Sequence, residues 1–386
     1  MLSVTFTMEN YHGKSRSVET RKQTGQLVHD NLAAQCAETR WCNMKAVVLH
    51  KALDLRIEDR EPAPMGVAQV KISIKRGGIC GSDLHYYRHG GFGTVRLKEP
   101  MVLGHEIAGQ VKAIGAAVAG IKVGDVVAVS PSRPCGVCDY CQKGMQNHCL
   151  DMLFYGSAMR YPHVQGAFVQ EVVALETQCH VVKSGVSIEE AAFAEPFAVA
   201  LHAIVRAGSL ANKRVLVTGC GPIGALAIVA ARAHGAQEII ATDVSDFTLA
   251  MARRVGADDT YNVAAAPDGL TPFKQNKGYF DVMIEASGNE SALRTGLECL
   301  RPRSTLIQLG LGGDVSIPQN MIVAKEIEIK GSFRFHAEFA LAVDLINQRR
   351  VDLKPLLSQV LPMEDAVAAI ELASDRSKAM KVQLAF

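Results

Sequence analysis

The hydrophobic and polar positions follow two different rhythms along the chain. From Met44 to about Ala192, short segments rich in Val and Ile alternate with turns that contain Gly or Pro, a pattern that predicts β-strands. The clearest of these predicted strands are Ala46–His50, Val70–Lys75, Ile107–Ile114 and Val126–Val129. The first half is therefore predicted to be a β-rich domain.

After Glu195 and Pro196 the pattern changes to strands that alternate with helices. An apolar helix is predicted at Ala198–Ala207, and the last strand of the series at Lys325–Lys330. Between them the strand and helix patterns alternate, in chain order, at Arg214–Thr218, Ile223–His234, Glu238–Thr242, Phe247–Val255, Asp281–Glu285, Ser291–Leu300 and Thr305–Leu309. Such alternation is typical of an α/β fold with a doubly wound parallel sheet. The stretch Ala264–Gly278 is predicted to be a loop.

The tail of the chain predicts that the first domain is discontinuous. It holds two helical patterns and a final strand, Met380–Phe386, which we expect to return to the β-rich domain. The first 43 residues are polar, and they lack the composition of a secretory signal or a transit peptide. We expect a disordered extension and a cytoplasmic protein. The expected domain bounds are residues 1–43 for the extension, 44–192 with 334–386 for the β-rich domain, and 193–333 for the α/β domain.

Composition excludes several classes of function. The chain has 386 residues and a formal net charge of +2, with no block of like charges, so neither nucleic acid nor a membrane is expected as a partner. No apolar run reaches the roughly 18 residues that would span a bilayer. Ten cysteines in a chain of this length without a signal peptide favour thiols or metal ligands over disulfides.

A glycine-rich segment has the spacing and setting of a dinucleotide-binding turn. The motif G-x-G-x-x-G at Gly219–Gly224 follows a predicted strand and opens a predicted helix. Its first glycine allows the tight turn, its second lets the backbone approach a pyrophosphate, and its third permits close packing of helix on strand. The helix start then offers unpaired N–H groups to phosphate. The expected cofactor-binding residues of the turn are Gly219, Gly221, Pro222, Ile223 and Gly224.

Asp243 ends the next predicted strand, about twenty residues after the glycine turn. A carboxylate there accepts hydrogen bonds from the ribose hydroxyls and repels a 2′-phosphate, so NAD is the expected cofactor and NADP a second choice. The alternative interpretation is a plain helix-opening turn followed by a surface aspartate.

Four cysteines lie close together within one short segment. Their spacing, C-x2-C-x2-C-x7-C, suits a tetrahedral Zn²⁺ site with four thiolates. Such a site leaves no position for water or substrate, so its expected role is structural. Disulfides and an iron–sulfur cluster are the alternatives. The four residues are Cys135, Cys138, Cys141 and Cys149.

A second set of possible metal ligands is spread over three segments. Cys80, His105 and Glu106 together supply a thiolate, an imidazole and a carboxylate, the mixed donor set of a catalytic zinc with an open position. Glu195 is a further carboxylate at the predicted junction of the two domains. Asp83 is a candidate to orient His105. Glu106, Glu195 or a water molecule remains open as the group that completes the shell.

These residues together resemble the zinc-containing medium-chain alcohol dehydrogenases, from Met44 to Phe386. The signature of that superfamily is matched throughout by Gly104-His105-Glu106-x2-Gly109-x5-Gly115-x2-Val118. Glu195 replaces the cysteine that classical members use as third ligand, which favours the polyol dehydrogenase branch. Within that branch the chain is most similar to the L-idonate 5-dehydrogenases. The segments that carry this similarity are Ile79–Tyr87, Pro100–Glu106, Phe154–Met159, Pro162–Val164, Phe193–Ala200, Lys277–Val282, Gly331–Phe335 and Ala379–Leu384.

The resemblance implies a GroES-like catalytic domain, a Rossmann cofactor domain and a set of residue roles. Hydride would pass between the C5 hydroxyl of L-idonate, giving 5-keto-D-gluconate, and a nicotinamide cofactor. Ser82 would accept the alcohol proton, with the cofactor ribose and His85 relaying it to solvent, and a helix-capping hydroxyl is the alternative for Ser82. The residues expected to line the substrate cleft are Tyr87, Glu195 and Arg334. The residues expected to lie near the cofactor are Leu309 and Phe333.

Other functions remain open from the sequence alone. The alternatives within the enzyme class are sorbitol, xylitol or threonine dehydrogenases. An alternative from another class is a zinc-stabilised NAD-binding protein without catalysis, acting as a structural or regulatory subunit. The resemblance also implies a homo-oligomer, either a dimer or a tetramer, that acts on a small polyol or sugar acid.

Overall fold

The computed structural model describes residues 43–386, and the first half of this range is built mainly from strands. All but one residue of the predicted N-terminal extension lie outside the described residues. The strands of this half are β1 (Met44–Lys51), β2 (Asp54–Arg60), β3 (Gln69–Gly78), β4 (Gly91–Phe92), β5 (Val95–Arg96), β6 (Met101–Val102), β7 (Glu106–Ile114), β8 (Val126–Val129), β9 (Ser132–Arg133), β10 (Leu153–Phe154), β11 (Glu171–Leu175) and β12 (Cys179–Val181). The helices among them are α1 (Gly81–His89), α2 (Asp139–Gln142) and α3 (Ile188–Ala191).

The second half alternates strands and helices as the pattern predicts. Its elements are α4 (Ala194–Ala207), β13 (Arg214–Thr218), α5 (Pro222–Ala233), β14 (Glu238–Asp243), α6 (Asp246–Arg254), β15 (Asp259–Asn262), α7 (Thr271–Lys274), β16 (Phe280–Glu285), α8 (Glu290–Cys299), β17 (Leu300–Gln308), α9 (Gln319–Lys325) and β18 (Glu328–Gly331). The six strands form one sheet in the order β15-β14-β13-β16-β17-β18, and every pairing is parallel. The strand order reverses between β13 and β16, where ligands bind in such sheets.

The tail returns to the first half of the chain. It contains α10 (Glu338–Asn347), β19 (Leu357–Pro362), α11 (Ala366–Ser374) and β20 (Lys381–Ala385). β20 pairs antiparallel with β3 and parallel with β19, inside a sheet whose order is β12-β8-β7-β3-β20-β19. This placement supports the expected discontinuous domain, whose bounds stay a prediction. Short 3-10 turns lie at Gln146–His148, Glu176–Gln178, Gln275–Lys277, Lys354–Leu356 and Met363–Asp365.

Burial explains why both halves hold together. In β1, Val47 and Leu49 belong to one apolar cluster while Ala46 and Val48 belong to another, because successive side chains of a strand point to opposite faces. The largest cluster forms where α4 packs against α5 and α10, next to the parallel sheet. Among residues 43–386, the helices are too short or too polar to cross a membrane.

Several local predictions differ from the structure. α4 begins at Ala194, four residues before the predicted start, because Pro196 lies in its first turn, where no N–H is needed. The last strand of the parallel sheet begins at Glu328, after a left-handed residue at Glu326 ends α9. β19 was not predicted, since a short strand that ends in proline lacks clear alternation. The predicted loop Ala264–Gly278 contains α7.

Candidate active site

Cys80, His105 and Glu106 meet because β3 and β7 are antiparallel neighbours. The end of β3 lies beside the start of β7, with Gly78 directly opposite Glu106. Cys80 follows β3 as the N-cap of α1. One ligand atom from each of the three side chains lies within 4.8 Å of the others. A thiolate, an imidazole and a carboxylate at this separation fit a catalytic zinc ion, whose borderline character accepts all three donor types.

Gly78 makes room for the carboxylate of this group. A Cβ atom at that position would lie 2.2 Å from Oε2 of Glu106, well inside van der Waals contact. Any larger residue would displace the carboxylate, so the close approach of β3 to Glu106 depends on glycine.

Asp83 joins the two backbone segments that carry the group. Its buried carboxylate accepts hydrogen bonds from the backbone N–H of Cys80 at 2.9 Å and of Gly104 at 3.2 Å. Burial raises the pKa of Asp83, and the neighbouring charge of His105 opposes the rise. Nδ1 of His105 is buried without a hydrogen-bond partner among the described residues. Asp83 thus fixes the backbone around the ligands. The expectation that it orients His105 is not met by a hydrogen bond, because both of its hydrogen bonds come from backbone N–H groups.

A lysine that the sequence analysis missed holds Glu106. Nζ of Lys381 lies 2.7 Å from each carboxylate oxygen of Glu106 and 3.1 Å from the carbonyl oxygen of Ile79. Burial lowers the pKa of Lys381, but the charges of Glu106 and Cys80 outweigh it and leave the pKa raised. A lysine in the buried strand β20 was the available signal.

Glu195 does not belong to the group of three, but the charges of that group affect its pKa. It occupies the first turn of α4 and is 5% exposed. Burial raises the pKa of Glu195 to about 8; the charge of His105 opposes the rise and that of Glu106 adds to it. Without a metal ion this side chain is therefore protonated at neutral pH, and it can donate a hydrogen bond.

Arg334 is connected to His105 through an aromatic ring. Its guanidinium lies 4.3 Å from the ring centre of Phe154, whose ring centre is 5.4 Å from that of His105. Burial lowers the pKa of Arg334, and the nearby Glu195 and Tyr86 oppose this. The Arg334 backbone has φ of 54°, a left-handed conformation. The sequence does not mark Phe154 as a site residue, because an aromatic side chain has no metal or proton chemistry.

Helix α1 presents the remaining predicted residues of the cleft. Ser82 is half-buried, and His85 is exposed one turn later on the same face. Cys80 rather than Ser82 is the N-cap, so the helix-capping alternative for Ser82 does not hold. Tyr87 is buried in an apolar cluster together with Tyr86. Burial raises the pKa of Tyr86, which was not predicted as a site residue, and the charge of Arg334 opposes the rise.

The glycine turn lies at the carboxyl end of β13, as the motif requires. Gly219 has φ of 83°, and a Cβ on Gly224 would lie 1.8 Å from the carbonyl oxygen of Gly219. Gly221 is the N-cap of α5, with Pro222 as the first helical residue and Ile223 next. The turn therefore packs closely against the first residues of α5, and the start of that helix offers N–H groups where a pyrophosphate would bind.

Asp243 lies at the end of β14, beside the turn. Its carboxylate accepts backbone hydrogen bonds from Cys220 at 2.6 Å, Val244 at 2.7 Å and Ser245 at 3.1 Å. Leu309 follows β17 and Phe333 follows β18, so both lie at the same edge of the sheet. The structure thus brings the predicted cofactor residues to one edge.

The four-cysteine loop forms a separate cluster. Ligand atoms of Cys135, Cys138, Cys141 and Cys149 lie within 4.8 Å of one another, and all four cysteines are free thiols. The sulfurs of Cys138 and Cys149 are 4.0 Å apart, close to the about 3.8 Å separation in a tetrahedral shell with Zn–S bonds of about 2.3 Å. Backbone N–H groups of Leu150 and Cys141 lower the pKa of Cys138 to about 6, which favours the thiolate that a metal needs. The loop therefore fits zinc.

The same loop contacts the second half of the chain. The side-chain amide of Asn147 donates a hydrogen bond of 3.0 Å to the carbonyl oxygen of Phe333, and the ring of His148 stacks on that of Phe333 at 5.9 Å. The four-cysteine loop thereby touches the residue that precedes Arg334.

Two family models match the chain, and together they cover both halves. The alcohol dehydrogenase GroES-like domain matches residues 66–184, and the zinc-binding dehydrogenase domain matches residues 222–348. The predicted fold class, a GroES-like domain with a Rossmann-type parallel sheet, is confirmed.

Curated relatives extend over most of the chain. L-idonate 5-dehydrogenase (NAD(P)(+)) of Escherichia coli K12 is 43% identical over 82% of this chain and 91% of its own length. Sorbitol dehydrogenase of Bacillus subtilis 168 is 35% identical over 89% of this chain and 97% of its own. The first of these relatives belongs to the group that the sequence resemblance indicated.

Solved structures agree with this relationship. The crystal structure of L-idonate 5-dehydrogenase from E. coli K-12 has a TM-score of 0.86 and 40% identity, with 89% of this chain and 98% of that chain covered. An alcohol dehydrogenase from E. coli CFT073 in complex with NADH has a TM-score of 0.81 and 28% identity over 89% and 99% of the two chains. The chain belongs to the zinc-binding alcohol dehydrogenase family.

Proposed function

We propose that the chain oxidises a sugar acid of the L-idonate type at its C5 hydroxyl, giving 5-keto-D-gluconate, with NAD as the preferred acceptor. The group of Cys80, His105 and Glu106 carries the reaction class, because its mixed donors suit a zinc ion that keeps an open position. The substrate assignment is supported by the 43% identity to the E. coli enzyme of that name.

Two zinc ions fit the donor sets, one in each cluster. Cys80 and His105 would hold the catalytic ion, with Glu106, Glu195 or water completing its shell. The four-cysteine loop would hold the structural ion. When bound, the catalytic zinc supplies a Lewis acid that lowers the pKa of a hydroxyl, and the nicotinamide supplies the hydride acceptor.

The chain's own side chains provide a path for the alcohol proton. Ser82 is placed two residues after a ligand, and its hydroxyl accepts the proton from the substrate. His85, exposed on the same face of α1, passes it to solvent. Burial lowers the pKa of His85, and the charge of His89 lowers it further, so the ring is neutral and able to accept a proton near pH 7.

Arg334 and Glu195 would orient the substrate. The guanidinium of Arg334, held over Phe154, can bind a substrate carboxylate through two parallel hydrogen bonds. Glu195, buried in the first turn of α4, can form a hydrogen bond with a sugar hydroxyl. Tyr86 and Tyr87 close the apolar side of the site around α1.

NAD is preferred because Asp243 is fixed where the adenosine ribose belongs. Three backbone hydrogen bonds hold its carboxylate in place, and the negative charge disfavours a 2′-phosphate. Leu309 and Phe333 would lie against the nicotinamide half.

We also propose a homo-oligomer, a dimer or a tetramer. β18 is the outer strand of the parallel sheet, and its far edge is unpaired among residues 43–386. Large apolar side chains are exposed on β18 and on the segment between β17 and β18, as expected of a surface that pairs with another copy. They are Leu311, Val315, Ile317, Val323 and Ile329.

The substrate assignment is tested by comparing L-idonate with sorbitol as substrates for the wild type and for Arg334→Gln. We expect idonate to be preferred, and the variant to lose about 10- to 100-fold in kcat/KM for idonate, the effect of one charge-assisted pair, but less than about fivefold for sorbitol. Arg334→Lys, which keeps the charge, is the control. Sorbitol oxidation without idonate oxidation would reject the sugar acid and favour a polyol dehydrogenase.

A further inference from the structure

Arg376 lies opposite the glycine turn, on a segment from the other end of the chain. It belongs to the loop between α11 and β20, in the part that returns to the β-rich half. Nη1 of Arg376 lies 3.6 Å from the position that a Cβ atom on Gly221 would occupy. Because Gly221 is the N-cap of α5, the guanidinium faces the start of that helix.

The surroundings of Arg376 locate it along the cofactor site. Burial lowers its pKa, and the charges of Cys80 and Asp243 oppose that lowering. Cys80 marks the metal end of the cleft, and Asp243 marks the ribose end. The charge of Arg376 also contributes to the lowered pKa of His85. Arg376 therefore lies between the two ends, and its side chain is still exposed to solvent, as the wall of a cleft allows.

The loop leaves Arg376 without an anionic partner. Within the described part of the chain, it makes no ion pair or side-chain hydrogen bond. The nearest acid in sequence, Asp375, is already engaged by the hydroxyl of Ser377 at 2.6 Å and by Nζ of Lys378 at 2.9 Å. These contacts hold the pKa of Asp375 at about 2, so its charge is fully satisfied.

We propose that Arg376 binds the pyrophosphate of the dinucleotide cofactor from the side opposite the glycine turn. The turn and the start of α5 offer backbone N–H groups and a partial positive charge on one side. A guanidinium offers a planar pair of donors on the other, which matches two phosphate oxygens. This inference rests on the proposed use of a nicotinamide dinucleotide.

If Arg376 binds the pyrophosphate, it should affect only the affinity of ligands that contain this group. Binding is measured by calorimetry with ADP-ribose, which has the pyrophosphate but no nicotinamide, and with adenosine, which has no phosphate. NADH and NADPH are titrated by their fluorescence. For Arg376→Ala we expect the Kd of ADP-ribose, NADH and NADPH to rise by the same factor, about 10- to 100-fold. The Kd of adenosine should change less than twofold.

Controls separate this role from a general loss of structure. Lys122→Ala removes an exposed cation of the β-rich half outside this loop and should leave all four affinities within twofold. Arg376→Gln keeps the length of the side chain and should reproduce the loss if the alanine variant is less stable. Wild-type affinity for ADP-ribose in both Arg376 variants would overturn the inference, as would a loss confined to NADPH, which would assign Arg376 to a 2′-phosphate. Failure of the wild type to bind ADP-ribose would instead reject the proposed cofactor and this inference with it.

Discussion

Nζ of Lys381 lies 2.7 Å from both carboxylate oxygens of Glu106, although 275 residues separate the two in sequence. Both side chains are almost completely buried, with 4% and 1% of their surfaces exposed. The pair joins the last strand of the chain to the start of β7, and Glu106 is itself one of the predicted metal ligands. A buried ion pair is costly to break on one side only, because the remaining charge has no compensation.

Lys381→Met should therefore destabilise the protein strongly. We expect the free energy of unfolding to fall by about 3–5 kcal/mol, measured by urea denaturation of protein from which metal has been removed. Lys381→Arg should lower the free energy of unfolding less, because it keeps the positive charge. The double variant Lys381→Met with Glu106→Gln should recover part of the loss. A Lys381→Met protein as stable as the wild type would contradict the interaction.

Asn147 should affect catalysis although it lies in the four-cysteine loop. Its hydrogen bond to the Phe333 carbonyl fixes the backbone just before Arg334. Asn147→Ala should raise KM for the sugar acid and lower kcat/KM by about 5- to 20-fold, the effect of losing one buried hydrogen bond. Zinc content should not change. Gln142→Ala, an exposed change in the same loop, serves as the control, and equal kinetics for both variants would argue against the positioning role.

Metal analysis distinguishes the two proposed zinc sites. We expect about two zinc ions per chain in the wild type, and about one in Cys138→Ser and in Cys80→Ser, because each cluster would hold a single ion. Cys80→Ser should also abolish turnover. Cys299→Ser, a buried cysteine far from both clusters in sequence, should keep both ions. Iron and sulfide in the wild-type protein would instead support the iron–sulfur alternative for the loop.

Asp243→Asn should weaken the preference for NAD. The amide keeps a hydrogen-bond acceptor but removes the charge that repels a 2′-phosphate. We expect the ratio of kcat/KM with NADP to that with NAD to rise by about tenfold or more. Asp259→Asn, at the opposite end of the neighbouring strand β15, should leave the ratio unchanged. An unchanged ratio in Asp243→Asn would show that other residues select the cofactor.

Glu338 should make stability depend on pH in the acid range. Its carboxylate accepts hydrogen bonds of 3.0 Å from Nδ1 of His202 and from the backbone N–H of His336. Burial raises the pKa of Glu338, but these bonds outweigh it and lower the pKa from 4.5 to about 2. The stabilisation is thus complete above about pH 4.5 and is lost as the pH falls toward 2.

The comparison of Glu338→Gln with the wild type isolates this contribution. The variant should be less stable at pH 6, and the difference should shrink by about 1 kcal/mol per pH unit below about 4.5. Urea unfolding at several pH values measures it. Glu371→Gln, an exposed change on α11, should follow the wild type throughout. If the difference in the free energy of unfolding between Glu338→Gln and the wild type did not change with pH, the lowered pKa of Glu338 would be contradicted.

The parts of the fold that the sequence predicted best are those with a strong local signal. The bounds of β13 and β8 agree with the predicted strands, because closely spaced valines and a nearby glycine mark each of them. β2 and β19 were missed because half-exposed strands next to other strands carry little periodicity.

The predicted metal ligands could be found from the sequence, but most of the residues that position or surround them could not. Cysteine, histidine and glycine spacing identified both metal clusters and the cofactor turn. Tyr86, Phe154 and Arg376 reach their places only through tertiary packing, so nothing in their local sequence marked them. Lys381 was marked only by its position in the buried strand β20. Tyr86 and Tyr87 are both buried, and which of the two faces the site depends on the rotation of α1, since a one-residue step changes the side-chain direction by about 100°.

The most direct test of the central claim is NADH-dependent reduction of 5-keto-D-gluconate by the purified protein, before and after zinc is removed by a chelator. The account predicts rapid NADH oxidation with this keto acid, its loss with the metal, and its return when Zn²⁺ is added back, with slower sorbitol and threonine oxidation measured alongside. No reaction with the keto acid, beside active sorbitol oxidation, would contradict the sugar-acid assignment. Activity that survives complete zinc removal would contradict the proposed role of Cys80 and His105.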